Sequence, residues 1–157
     1  MATIGGGGVV LRPGEARRID VGPFEVVVHA DGDVTEGSFS LIETGEPDPG
    51  IGPPLHVHRD CAESFVVLAG RYRMHLDGTD FDCPPGSFVY VPRGTTHTFQ
   101  ALEPASRKLN LYTPAGMVGY FDELAAGIAA GLDDAGLDAI ADRFGMDVVG
   151  PVPEGYL

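Results

Sequence analysis

Gly50-Ile51-Gly52-Pro53-Pro54-Leu55-His56-Val57-His58-Arg59-Asp60-Cys61-Ala62-Glu63-Ser64-Phe65-Val66-Val67-Leu68-Ala69-Gly70 carries two histidines at i and i+2, a glutamate five residues later, and a glycine at either end. In a strand, residues i and i+2 point to the same face, so the imidazoles of His56 and His58 reach toward one point. Taken alone, the pair would equally suit two surface histidines on an edge strand. Glu63 opens the next apolar run, however, and His97 follows a Pro92-Arg93-Gly94 turn on a later strand. Three imidazoles and one carboxylate together suit one divalent transition metal ion, with iron, nickel, manganese, copper or zinc all compatible with the donors.

Outward from this segment, the text from Val9 to Phe99 keeps one style. Short apolar or alternating runs are broken by Gly, Pro and Asp, the pattern of an all-β sandwich or barrel. The expected strands are Val9–Leu11, Ala16–Val21, Phe24–His29, Gly37–Glu43, Pro54–His58, Glu63–Leu68, Tyr72–Leu76, Asp80–Asp82, Ser87–Val91, Thr96–Ala101 and Lys108–Thr113. Asp77-Gly78 suits a two-residue hairpin turn that needs positive φ. Pro84-Pro85-Gly86 and Pro92-Arg93-Gly94 cannot continue a ladder and must turn. After Thr113 the style becomes helical. Thr113-Pro114 reads as a cap and first helical position, followed by Met117, Phe121, Leu124 and Ile128 at helical spacing, with Gly131 closing the helix. Asp134 reads as the cap of a second helix bearing Leu137, Ile140 and Phe144, with Gly145 beyond it, and Gly150-Pro151-Val152-Pro153 as an extended tail. The expected organisation is a single domain: a flexible N-terminal tail over 1–8, a β-barrel over 9–113, and C-terminal helices and tail over 114–157.

The totals narrow the function. The chain has 157 residues, with 10 Lys and Arg against 23 Asp and Glu, a formal net charge of −13. Such a surface repels phosphate backbones and anionic lipid, which argues against nucleic acid and membrane partners and leaves a small-molecule substrate. Cys61 and Cys83 form neither a CxxC pair nor a zinc-finger spacing, and read as two thiols in a reducing compartment. The first residues carry no basic region followed by a long apolar one, and no apolar run approaches ~18 residues. The expected location is the cytoplasm.

These spacings resemble the cupin family. Its first motif, a glycine, then His-x-His, Glu and a second glycine, is met by Gly50, His56, His58, Glu63 and Gly70; its second by Gly86, Pro92, Gly94 and His97, with Ala101 standing where the family has Asn. That Asn is not a metal ligand in the family. The Gly-rich loop before His56 and the stretch Leu109-Asn110-Leu111-Tyr112-Thr113-Pro114-Ala115-Gly116 are similar to quercetin-dioxygenase-like single cupins, so the likeness runs from about Val34 to Leu124. The resemblance implies a jelly-roll barrel with a short helical extension. It also implies that His56, His58, Glu63 and His97 are the metal ligands. Glu63 would further act as the catalytic base that accepts a substrate proton.

Alternation from Glu63 points Phe65 and Val67 the same way, and alternation from His97 does so for Phe99. With Tyr72 and Met74 on the neighbouring strand, these are the expected pocket residues, simple barrel core being the alternative. The leading functional expectation is a dioxygenase acting on an enolisable or hydroxylated aromatic compound. A redox-neutral isomerase, epimerase or cyclase is the second reading, and a non-catalytic binding barrel the third. A homodimer is expected, with the N-terminal strands and the helix over Thr113–Ala130 offering apolar surface.

Overall fold

The computed structural model describes residues 2–4 and 7–156, with side-chain environments from residue 7 onward. Among these residues run thirteen strands and two helices. The strands are β1 (Ala2–Ile4), β2 (Gly8–Val10), β3 (Arg17–Asp20), β4 (Glu25–Ala30), β5 (Ser40–Glu46), β6 (Leu55–His58), β7 (Ala62–Ala69), β8 (Tyr72–Leu76), β9 (Thr79–Cys83), β10 (Phe88–Val91), β11 (His97–Ala101), β12 (Ser106–Thr113) and β13 (Met146–Gly150); the helices are α1 (Val118–Ala129) and α2 (Asp134–Arg143). The eleven strands expected from punctuation are all present, with ends shifted by a few residues. Between β8 and β9, Asp77 and Gly78 both take positive φ, 44° and 84°, as a two-residue primed turn requires.

The strands form two large sheets. One has the order β10-β7-β12-β5-β4-β3 and the other β13-β6-β11-β8-β9, while β1 and β2 pair only with each other. Neighbouring strands within every sheet are antiparallel. One apolar cluster, with Phe65, Val67, Tyr72 and Met74, fills one end of the space between the large sheets. A second, with Val26, Ile42, Tyr112, Met117 and Phe121, joins the barrel to α1 and α2.

Four expectations need correction. Ala2 to Ile4 of the supposed flexible tail pair with Gly8 to Val10, while Met1, Gly5 and Gly6 lie outside the described residues. Thr113 does not cap a helix: it pairs with Ala62 as the last residue of β12, and α1 starts at Val118, so the strand ladder prevails over the local capping signal. The second helix is capped by Asp133, whose side chain accepts from the Gly136 N–H, one residue earlier than expected. The C-terminal segment is not only helices and tail. Met146–Gly150 adds a strand to the barrel, pairing Met146 with His58 and Val148 with His56. No described helix is long and apolar enough to cross a membrane.

The apolar stripe expected as a dimer face is also used internally. Phe121 of α1 is buried, and Leu124 and Ile128 pack against the same cluster. Large exposed apolar side chains stand instead on β10, where Phe88 is 66% and Tyr90 54% exposed.

Candidate metal centre

The two large sheets bring the expected ligands together. His56 and His97 face each other as cross-strand partners on β6 and β11, with ring centroids 4.2 Å apart. His58 lies two residues along β6 on the same side. Glu63 comes from β7 in the opposing sheet, so the site sits between the two layers. One donor atom from each of the four lies within 4.8 Å of the others, and all four side chains are buried.

The loops around the site hold the rings in position. His56 Nδ1–H donates to the Pro54 carbonyl at 2.8 Å, which leaves Nε2 as its lone-pair nitrogen. Pro53 is held in turn by the Thr98 hydroxyl, which donates to its carbonyl at 2.6 Å. The same loop presses so closely on β11 that a Cβ at Gly52 would stand 2.0 Å from the Phe99 carbonyl oxygen, which only glycine allows. In the Pro92-Arg93-Gly94 turn, the Gly94 N–H donates to the His58 carbonyl at 2.9 Å, tying the two motifs together.

The protons of the site fit a cation. His97 Nδ1 lies 2.9 Å from the Thr95 carbonyl and its Nε2 3.2 Å from Glu63 Oε2. Both neighbours are acceptors, and a neutral imidazole has one N–H for the two of them. Glu63 Oε2 meets His58 Nε2 at 3.0 Å as well. A divalent ion held by this cluster would take lone pairs from His58, His97 and the carboxylate, and His97 would keep its one proton on Nδ1 for the Thr95 carbonyl. Electrostatics agree: burial, then the neighbouring rings of His97 and His58, push His56 down to about 3, so it is a neutral donor. Burial alone would raise Glu63, but the His58 and His97 ring nitrogens beside Oε2 outweigh it and hold the carboxyl well below its ordinary range.

Two residues of this site lay outside the sequence reading. Asn110 Nδ2 donates to Glu63 Oε1 at 3.1 Å, fixing the carboxylate from the side away from the histidines. Tyr112, directly paired with Glu63, is buried against it, and burial followed by the Glu63 charge raises its hydroxyl pKa well above the usual value. The available signal was the parity of β12, where Ser106, Lys108, Asn110 and Tyr112 alternate with Arg107, Leu109 and Leu111. Cys61 lies in the buried cluster against α1, where burial and then Glu63 push the thiol up to about 12; it stays protonated and packs as a small apolar group.

A cavity of about 840 Å³ opens onto His56, His58 and Glu63. Its outer walls are Phe24, Tyr120, Phe121 and Leu124, then Leu137 of α2 and Val148 of β13. Of the five expected pocket residues, Phe99 lines it. Phe65, Val67, Tyr72 and Met74 instead pack with Cys83, Val91 and Ala101 as barrel core. The helices, which the sequence reading left outside the site, form the mouth.

Comparison with known proteins agrees with this geometry. Residues 44–107 match the family described as Cupin domain. Quercetin 2,3-dioxygenase of Bacillus subtilis is 33% identical over 113 residues, covering 71% of this chain and 32% of that protein. The chain thus spans about a third of the length of that curated relative. Among solved structures, KdgF from Halomonas sp. superposes with a TM-score of 0.62 at 23% identity, over 68% of this chain and 94% of that one. The polyketide cyclase RemF from Streptomyces resistomycificus does so with a TM-score of 0.58 at 20% identity, over 68% and 79%. These two likenesses describe the fold. With its two-layered antiparallel barrel, its paired motifs and its buried three-histidine, one-glutamate cluster, the chain is a member of the cupin family.

Proposed function

We propose that this chain is a metal-dependent oxygenase acting on a small enolisable or hydroxylated aromatic compound. The observation that carries the reading is a large cavity walled by aromatic and aliphatic side chains that ends on a buried His56, His58, Glu63 and His97 cluster. Such a wall favours a flat apolar ligand, and the few polar groups at its end would orient it. The sequence likeness to a quercetin 2,3-dioxygenase supports the same chemistry. A bound divalent ion would supply Lewis acidity and, if redox-active, electrons for dioxygen.

The chain's own part is to orient the ligand, exclude water and move one proton. A hydroxyl of the substrate entering from the cavity meets Glu63, whose carboxylate is ionised and held by Asn110 through Oε1. Glu63 Oε2 would take the hydroxyl proton and leave the substrate as an enolate, while the Asn110 hydrogen bond keeps the carboxylate from turning away. Tyr112, paired with Glu63 and kept protonated, can donate a hydrogen bond at this end of the cavity but does not serve as a base.

Glu63→Gln keeps an oxygen for coordination but is a very poor base. Loaded to full metal occupancy, it is expected to turn over a hydroxylated aromatic substrate about 10²–10⁴-fold more slowly than the parent. Undiminished turnover at equal occupancy would remove Glu63 as the base.

A redox-neutral reaction is the second reading, favoured by the structural likeness to a polyketide cyclase. Dioxygen uptake during turnover separates the two. For assembly, we propose a pair of chains, supported by the exposed Phe88 and Tyr90 on β10, an edge strand of its sheet. Light scattering at micromolar concentration is expected to give twice the chain mass of 16.5 kDa; a value near one chain mass would overturn the pair.

A further inference from the structure

The metal cluster accounts for one end of the cavity. Its wall also includes Thr44 and Glu46, which point inward two residues apart on β5. Behind them stands Lys108, wholly buried. Its Nζ donates to Thr44 Oγ1 at 2.5 Å and to Glu46 Oε1 at 2.9 Å, and lies 3.7 Å from the centre of the Phe99 ring. The Tyr72 hydroxyl donates to Glu46 Oε2. None of these four belongs to the metal cluster. Fold stability does not explain them, because a buried ion pair can often be replaced by apolar groups of similar volume at no loss.

The proton inventory indicates what the group offers the cavity. Lys108 has only protons to give, so the Thr44 hydroxyl accepts from it and turns its own proton elsewhere. Each Glu46 oxygen holds one donor and retains a further lone pair. One donor and one acceptor on adjacent wall residues complement a single neutral hydroxyl. The Lys108 charge offsets that of Glu46, so the group as a whole neither calls for an anion nor tolerates a second carboxylate against Glu46.

We propose that Thr44 and Glu46 form a second polar subsite of this cavity, which holds a hydroxyl group of an aromatic ligand whose other oxygens reach the metal cluster. Lys108 and Tyr72 are positioning residues that hold the Glu46 carboxylate. Thr44 is the cross-strand partner of Lys108, which precedes Asn110 on the inner face of β12 by two residues or about 7 Å, so a ligand touching both ends is extended and ring-bridged. The subsite rests on the proposed function only in that the ligand is a hydroxylated aromatic; neither dioxygen nor turnover enters.

The test uses zinc-loaded protein under nitrogen, with 3-hydroxyflavone and its 7-hydroxy and 4′-hydroxy derivatives titrated by fluorescence. At least one derivative is expected to bind about tenfold tighter than 3-hydroxyflavone, the gain from one hydrogen bond to a charged group. That preference is expected to fall below about twofold in both Thr44→Val and Glu46→Gln, two variants of nearly unchanged shape whose folding is checked by circular dichroism. Equal affinities in the parent, a preference that survives both substitutions, or no binding of any of the three overturns the subsite. Dioxygen uptake by iron- or nickel-loaded protein is measured separately. A hydroxyl preference without uptake removes the oxygenase and keeps the subsite; uptake without the preference does the reverse.

Discussion

Lys108→Met is expected to lower stability by about 3–5 kcal/mol, the cost of leaving one charge of a buried pair alone. The methionine fills much of the same space, so the loss does not come from a cavity. It comes from Glu46, 1% exposed, which would keep the Tyr72 hydroxyl but lose the one cation within hydrogen-bond reach of it among the described residues. Phe99 would lose the ammonium over its ring as well. The remedy identifies the cause: Lys108→Met combined with Glu46→Gln removes both charges, still accepts from Tyr72, and is expected to recover more than half of the loss. Urea denaturation of the parent, both single variants and the double variant gives the coupling directly. If Lys108→Met alone costs under about 1 kcal/mol, the pair does not hold a charge in the barrel interior.

His97→Ala is expected to lower divalent metal affinity by more than about a hundredfold. Loss of an outer partner of a ligand typically costs 10–100-fold, and loss of the ligand itself costs more. His97 is the strand partner of His56 and approaches Glu63 Oε2 at 3.2 Å, so its removal opens the cluster on two sides. Elemental analysis of untagged protein is expected to find about one ion per parent chain and little in the variant. Chelation is expected to lower the melting temperature of the parent, because an ion at a hundred times its Kd stabilises a fold by ~2.7 kcal/mol. The same chelator is expected to leave His97→Ala nearly unmoved. A parent that takes up no ion from saturating iron, nickel, manganese, copper or zinc would refute the metal centre.

Much of the barrel was legible because its punctuation is local. Asp77-Gly78 demands positive φ whatever surrounds it, and the Pro92-Arg93-Gly94 turn ends one strand and starts the next. The i, i+2 spacing of His56 and His58 carries its meaning in any strand. What misled were signals that depend on distant partners. Thr113-Pro114 has the form of a helix start, but Ala62 takes Thr113 into the ladder. Met146 to Gly150 reads as a short run near the end of the chain, and becomes a strand only because β6 offers an open side. Phe65, Val67, Tyr72 and Met74 have the right parity to face inward, but parity does not say whether the interior at that level is cavity or core.

The sequence by itself determined the strand count between Val9 and Thr113 and the turns, because these rest on local backbone geometry, and it named the four residues of the candidate metal cluster, because His56, His58 and Glu63 lie within one short segment and the family resemblance adds His97. Only the tertiary structure decided which face of β12 looks inward. Apolar patterning alone would bury Leu109 and Leu111, yet Ser106, Lys108, Asn110 and Tyr112 are the buried set. The physical reason lies on other strands. Lys108 finds Thr44 and Glu46 on β5, and Asn110 finds Glu63 on β7, so polar groups that would be costly to bury alone are satisfied in pairs.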